Sequence, residues 1–145
     1  MRVRINSLEN YKHIHLIGIG GVSMSAIAET LHTWGYKVTG SDTAQSDYTD
    51  KLVKSGVKVT IGHDLTNPKN ADLIIFSAAI KDTDPEMVLA KQFNIPVVTR
   101  GEFVGYLTRR YKESICISGT HGKTTTTSMI SLCFIEANLD PTIQV

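Results

Sequence analysis

Short apolar runs alternate with segments of helical periodicity along the whole chain, and this alternation limits the possible folds more than any other feature. The apolar runs are the predicted strands, at 13–19, 36–40, 57–61, 72–77, 95–99 and 114–118. The segments between them are the predicted helices, at 22–34, 48–55, 85–93, 102–111 and 123–137. Such alternation is typical of a parallel sheet with helices on both faces. We therefore predict a Rossmann-like, doubly wound α/β fold.

The charged sequence at 109–113 separates the first five strand units from the sixth. We expect residues 1–110 to form one domain, and residues 111–145 to open a second α/β domain with its first strand, a phosphate-binding loop and a helix. The second domain would be truncated. Its apolar helix residues would then need cover from the first domain or from another copy of the chain, in a homodimer or by exchange of this tail, or the tail would be disordered.

Composition excludes several classes of protein. With 41% apolar residues and a formal net charge of +1, the chain is neither disordered nor basic enough for a dedicated nucleic-acid binder. Its apolar runs are shorter than the ~20 residues of a membrane helix, and glycines interrupt the first of them, unlike a signal peptide. We expect Cys116 and Cys133, which lie in apolar runs, to be buried reduced thiols. The chain is predicted to be cytoplasmic.

A glycine-rich segment follows the first predicted strand and opens the first predicted helix. Gly18 and Gly20 permit a tight turn there and let the backbone approach a pyrophosphate, and the helix N-terminus offers N–H groups to an anion. Asp42, at the end of the second predicted strand, is placed to accept hydrogen bonds from a ribose. The pattern predicts a site for a dinucleotide or another diphosphate nucleotide. The alternative is that these glycines serve only close helix–strand packing.

A second phosphate-binding signal is the segment Gly-Thr-His-Gly-Lys-Thr-Thr at 119–125. It is a shortened P-loop, with two residues between its glycines where the common form has four. Its backbone N–H groups form an anion-binding nest, and Lys123 can reach the β- and γ-phosphates. The Thr124 hydroxyl can bind Mg²⁺. The segment predicts binding of a nucleoside triphosphate.

Other polar residues allow two interpretations each. His13 and His15 share one face of a strand and are expected to be packing histidines. His63 comes just after the third predicted strand, at the edge of the sheet where doubly wound folds bind ligands. Arg100 could meet an anion there or form a surface ion pair. The acidic residues at 82, 84 and 86 are predicted mainly to cap a helix.

Four segments together, at 13–42, 77–86, 95–103 and 119–129, resemble the bacterial cell-wall Mur ligases. The resemblance implies a three-domain ligase of peptidoglycan precursor synthesis that uses ATP and Mg²⁺. ATP would phosphorylate the lactyl carboxylate of UDP-N-acetylmuramate, and the amine of L-alanine would attack the acyl phosphate. The first domain would hold the UDP-sugar. Because later catalytic residues and the L-alanine site are missing, the 145 residues are expected to be inactive alone.

The family's functional positions can be carried over residue by residue. Those implied for the UDP-sugar are Gly20, Gly21, Ser23, Met24, Ser25, Ser41, Asp42, His63, Ser77 and Arg100. Those implied for ATP are Gly119, Thr120, His121, Gly122, Lys123, Thr124 and Thr125, with Lys123 catalytic and Thr124 directed to the metal. Ser23 stands where the family usually has glycine, which narrows the loop and adds a hydroxyl.

Two other functions compete with the ligase. An NAD-binding regulatory or dehydrogenase module would explain Gly18, Gly20 and Asp42, but it leaves the loop at 119–125 unexplained. A free-standing nucleotide-binding interaction protein without ligase activity is the third hypothesis.

Overall fold

A five-stranded parallel sheet forms the centre of the first part of the chain. The computed structural model describes residues 2–3 and 5–143, and the chain divides into two compact units, the first ending at Arg110 and the second beginning at Tyr111. The strands of the first unit are β1 (His13–Ile17), β2 (Lys37–Asp42), β3 (Lys58–Ile61), β4 (Leu73–Phe76) and β5 (Val97–Thr99). Their order is β3-β2-β1-β4-β5, and every neighbouring pair is parallel. The predicted doubly wound α/β fold is confirmed.

Four helices connect and flank the strands of this unit: α1 (Val22–Thr33), α2 (Asp47–Lys54), α3 (Pro85–Gln92) and α4 (Arg100–Arg110). A short 3₁₀ helix (Pro68–Asn70) precedes β4. Local sequence sets several helix ends. Ser46 and Thr49 form a capping box at the start of α2, and the Asp84 side chain accepts a hydrogen bond from the Glu86 amide at the start of α3. The predicted cap at Asp84 is therefore confirmed.

Alternation along β4 divides the core into two layers. Leu73 and Ile75 point into a cluster that includes residues of α1, α2 and α4, such as Ile27, Leu52 and Phe103. The intervening residues of β4, Ile74 and Phe76, join the opposite cluster with Met87 and Ala90 of α3. Period-two alternation with burial on both faces is the pattern of a strand inside a parallel sheet. The layer beneath α3 also contains polar side chains, which form part of the site described below.

The second unit has one regular element, α5 (Lys123–Glu136), in its described residues. The predicted strand at 114–118 is wrong, because this segment has no strand assignment and pairs with no other strand within residues 111–143. A strand requires a neighbour to receive its backbone hydrogen bonds, and local apolar sequence cannot supply one. Buried thiols were also expected, but Cys116 and Cys133 are both exposed.

Among the residues described, no helix is both long and apolar enough to span a bilayer.

Candidate functional site

A cavity of about 420 Å³ opens at the carboxyl ends of the central strands. Its wall combines the last residues of β1 and β2 and residues that follow β1, β2, β3 and β4 with the start of α3. These residues are Ile17, Gly18, Gly20, Gly21, Ser41, Asp42, Thr43, Ala44, Ser46, Gly62, His63, Ser77, Ala79, Ile80, Asp84 and Glu86. The strand order reverses between β1 and β4, so the connections from these strands diverge. Doubly wound folds bind ligands in the crevice at this position.

The glycine loop after β1 is held by backbone and carboxylate contacts. Gly18 has a φ of 79°, and its N–H donates to the Ser41 carbonyl at 2.8 Å. The Gly20 N–H donates to Asp42 Oδ2 at 2.8 Å. A Cβ at Gly20 would lie 2.9 Å from both Asp42 Oδ2 and Thr49 Cγ2, so a side chain does not fit there without displacement. The sequence therefore needs glycine at position 20 for close approach to Asp42.

The N-terminus of α1 faces the cavity without a protein cap. Gly21 is its N-cap and provides no side-chain hydrogen bond, and the first turn carries no acidic residue. The positive end of the helix dipole therefore lies at the cavity with no acidic side chain of the first turn beside it, which favours an anion there. Asp42, which was expected at a ribose, here organises the glycine loop, and its ribose contact stays a prediction.

The cavity brings together six of the ten residues predicted for the UDP-sugar. They are Gly20, Gly21, Ser41, Asp42, His63 and Ser77. Met24 and Ser25 lie outside its wall. Met24 is 2% exposed within the core, and Ser25 Oγ donates to the Val22 carbonyl at 2.9 Å. Their side chains support α1 in this structure.

Ser23 and Arg100 also lie outside the cavity wall and contact each other. Arg100 Nη1 donates to Ser23 Oγ at 3.1 Å, which links the first residue of α4 to the first turn of α1. Both residues are half-buried. The added hydroxyl of Ser23 therefore has a protein partner, and a phosphate contact by either side chain stays a prediction.

A series of buried side chains lies beneath the cavity, and the sequence did not predict that Glu86 belongs to it. We refer to His13, Thr39, His15 and Glu86 as the buried series. Thr39 Oγ1 is 2.9 Å from His13 Nε2 and 2.7 Å from His15 Nδ1, and His15 Nε2 is 2.8 Å from Glu86 Oε2. The predicted packing role of the two histidines is confirmed by their burial, at 5% and 0% exposure.

Glu86 is no capping residue, and that prediction is wrong. Its side chain is fully buried, and its Oε1 accepts hydrogen bonds from Ser41 Oγ at 2.7 Å and from the Asp64 N–H at 3.1 Å. Asp82, also predicted as a cap, forms an exposed ion pair with Lys91 at 3.8 Å. Glu86 and His15 are 71 residues apart, so no local pattern could have indicated their contact.

A candidate metal site is formed by His63, Asp84 and Glu86, because their potential ligand atoms lie within 4.8 Å of one another. His63 Nδ1 is 3.6 Å from Asp84 Oδ2 and 3.7 Å from Glu86 Oε1. However, Glu86 Oε1 already accepts two hydrogen bonds, and Oε2 is in contact with His15. The Glu86 oxygen nearest His63 therefore already accepts two hydrogen bonds, and we assign no metal ion to these three residues.

Asp64 fixes the turn that follows His63. Burial alone would raise the pKa of its carboxyl, but hydrogen bonds from Asn67, Thr66 and Thr60 lower this pKa to about 2. The carboxylate therefore stays ionised through the physiological range, and it holds the segment that carries His63 and the Asp64 amide.

The loop at 119–125 begins α5 and is exposed. Gly122, the N-cap, has a φ of 76°, a left-handed conformation that favours glycine. Lys123 Nζ donates to the Gly119 carbonyl at 2.5 Å and to the Thr120 carbonyl at 3.3 Å, so the side chain folds over its own loop. The described loop supplies helix N-terminal amides, one ammonium group and the Thr124 hydroxyl, which are the groups that a triphosphate and Mg²⁺ require.

The first unit is thus a Rossmann-like module, with its cavity at the switch point of the sheet. A model of the Mur ligase family, catalytic domain, matches residues 13–112. The chain belongs to this family.

Curated relatives and solved structures agree with that assignment. The UDP-N-acetylmuramate–L-alanine ligase of Clostridium novyi is 51% identical over 137 residues, which are 94% of this chain and 30% of that protein. The ligase of the same name from Clostridium botulinum (strain Okra) is 53% identical over 134 residues, 92% of this chain and 29% of that protein. The crystal structure of UDP-N-acetylmuramate-alanine ligase from Thermotoga maritima matches with a TM-score of 0.82 and 35% identity, covering 89% of this chain and 30% of that one. The chain therefore spans about 30% of the length of the relatives it matches.

Proposed function

We propose that the chain is the N-terminal part of an ATP-dependent ligase that joins L-alanine to UDP-N-acetylmuramate in the cytoplasm. Identity near 50% with curated ligases of that name supports this reaction. The observation that carries the substrate assignment is the cavity at the switch point, where an uncapped helix N-terminus faces a diphosphate-sized space. Residues up to Arg110 would bind the UDP-sugar, and the later residues would contribute to an ATP site.

The reaction needs activation of a poor electrophile. A carboxylate becomes reactive towards an amine once ATP has converted one of its oxygens into a phosphate leaving group. Lys123 would bind the transferring phosphoryl group, and Thr124 would hold Mg²⁺, which supplies charge neutralisation when bound. Other residues of the complete protein would bind L-alanine, so residues 1–145 are proposed to bind ligands without turnover.

Calorimetric titration of the 145-residue protein with UDP-N-acetylmuramate tests the substrate assignment. We expect binding to the wild type, and at least about a tenfold loss of affinity in Gly20→Ala, because the new Cβ displaces Asp42 and the loop. Gly101→Ala is the matched control, since a Cβ there would meet no atom within 4 Å. Binding of NADH that NAD reverses and UDP-sugars do not would support the dehydrogenase alternative and contradict the proposal.

A further inference from the structure

Glu86 connects the middle of β1, the end of β2 and the segment after β3. It lies in the first turn of α3, and its Oε1 accepts hydrogen bonds from Ser41 at the end of β2 and from the Asp64 amide after β3. Its Oε2 contacts His15 of β1. Both Glu86 and His15 have fully buried side chains. One carboxylate therefore sets the relative positions of Ser41 and of the segment that carries His63.

The hydrogen bonds of the buried series require one more proton than two neutral histidines, a threonine hydroxyl and an ionised Glu86 would carry. His13 Nδ1 is 2.8 Å from the Asn70 carbonyl, which can only accept, so this nitrogen is protonated. Burial lowers the pKa of His13, which favours the neutral ring, and its Nε2 therefore accepts from the Thr39 hydroxyl. Thr39 has only one proton, so His15 Nδ1 must donate to Thr39 Oγ1. A hydrogen bond between His15 Nε2 and Glu86 Oε2 then needs one additional proton.

Two features of Glu86 favour the arrangement in which His15 carries that proton and Glu86 is ionised. The carboxylate accepts hydrogen bonds from Ser41, from the Asp64 amide and from His15, and such bonds favour the charged form. Glu86 also lies in the first turn of α3, where the helix dipole favours a negative charge. The contact with His15 is accordingly an ion pair with a net charge of zero.

The zero net charge of the His15–Glu86 pair matters for an anionic ligand. The acidic residues Asp42, Asp84 and Glu86 line the cavity, and none of the described lining residues is Lys or Arg. An uncompensated carboxylate directly beneath the cavity would repel a diphosphate through a medium of low dielectric. The proton on His15 removes this repulsion and retains the acceptor oxygens that hold Ser41 and the Asp64 amide.

We propose that Glu86 is a positioning residue for the nucleotide diphosphate bound in this cavity, and that a doubly protonated His15 neutralises its charge. The proposal rests on the proposed function for its ligand. It adds a residue that acts through Ser41 and the Asp64 segment, and it assigns protonation states to two buried histidines.

The test combines ring-nitrogen NMR of the histidines with UDP titration of the 145-residue protein. In the wild type we expect His15 to show two protonated ring nitrogens and His13 only a protonated Nδ1. In Glu86→Gln the amide NH₂ can donate to a neutral His15, so His15 should lose its Nε2 proton. UDP affinity of this variant should stay within about threefold, because every hydrogen bond keeps a partner and the net charge is unchanged.

Glu86→Ala removes the acceptor of both Ser41 and the Asp64 amide, so UDP affinity should fall about tenfold or more. Glu29→Ala is the control, because Glu29 forms a surface ion pair with Lys51 outside the cavity wall and its loss should leave UDP affinity unchanged. If Glu86→Ala does not fold, the comparison of the wild type with Glu86→Gln still decides the proton on His15, and a tenfold loss of UDP affinity in Glu86→Gln would still reject the positioning role.

Several results would overturn it. A neutral His15 in the wild type would contradict the assigned proton, and wild-type affinity in Glu86→Ala would contradict the positioning role. A tenfold loss in Glu86→Gln would also contradict it. If the wild type does not bind UDP, the proposed function fails and the positioning role with it, whereas the NMR result still accepts or rejects the proton on His15.

Discussion

The two compact units of the chain differ in the burial of their apolar residues. In the first unit the central strands are covered on both sides, and Ile14, Leu16 and Ile75 are all 0% exposed. In the second unit Met129 and Leu132 of α5 are 63% and 61% exposed. Both units carry a glycine-containing loop that opens a helix. The comparison shows that a glycine loop opening a helix can be encoded locally, whereas a supporting core requires several partnering elements.

The largest expected effect is on the core of the first unit. Ile75→Ala should lower the free energy of unfolding by about 2–5 kcal/mol, because it leaves a cavity at a fully buried position. Leu132→Ala, at a largely exposed position of α5, should change it by less than about 0.5 kcal/mol. Urea unfolding followed by circular dichroism measures both, and equal losses would show that the two units do not differ in burial.

A second prediction concerns acid stability of the first unit. Because the folded pKa of Asp64 is about 2, below the ordinary value of 3.8, its ionised form stabilises the fold by about 2 kcal/mol above pH 4. This contribution is lost as the pH falls towards 2. The free energies of unfolding of the wild type and Asp64→Asn, measured in urea, should therefore differ most near pH 7 and converge near pH 2. Asp82→Asn, at an exposed residue, is the control that should follow the wild type at each pH.

Helix capping provides a smaller contrast between the units. The N-cap Ser46 accepts a hydrogen bond from the Thr49 amide in a capping box, whereas no side chain caps α5 at Gly122. Ser46→Ala should lower the free energy of unfolding by about 1 kcal/mol. Thermal unfolding of the variant beside the wild type measures this, and an unchanged midpoint would indicate that the capping box does not stabilise α2.

The smallest effect on stability is expected at Lys123. Its ammonium group contacts only exposed loop carbonyls in the described structure, so Lys123→Ala should change the free energy of unfolding by less than about 0.5 kcal/mol. UDP affinity should be unchanged. ATP affinity should fall, because the variant lacks the positive ammonium group that would contact the phosphates of ATP. Parallel titrations with UDP and ATP check this. A loss of UDP affinity would contradict separate roles for the two loops.

The sequence was sufficient for the fold of the first unit because its signals are local. Apolar runs, the glycines after β1 and the Asp84 cap each depend on residues close together in the chain. The strand at 114–118 was predicted from the same kind of signal, but a strand also needs a pairing partner. The prediction that Cys116 and Cys133 are buried was wrong for a related reason, because apolar neighbours in sequence do not ensure that other residues cover a side chain in the fold.

The candidate site was predictable in its loops and not in its buried support. Gly20 and His63 follow strands and Asp42 ends one, so the three residues meet at one edge of the sheet. Glu86 has the sequence context of a helix cap, yet its partners come from β1, β2 and the segment after β3. Contacts at such sequence separations depend on strand order, which local patterns do not determine.

The most direct test of the account is to map UDP and ATP onto the backbone amides of the 145-residue protein by NMR. We predict that UDP shifts the amides of Gly18, Gly20, Gly21 and Ser41 and leaves those of the loop at 119–125 unchanged. We also predict that ATP shifts the loop at 119–125. A UDP response confined to that loop, or absent from the glycine loop after β1, would contradict the claim that the first unit is a nucleotide-diphosphate site.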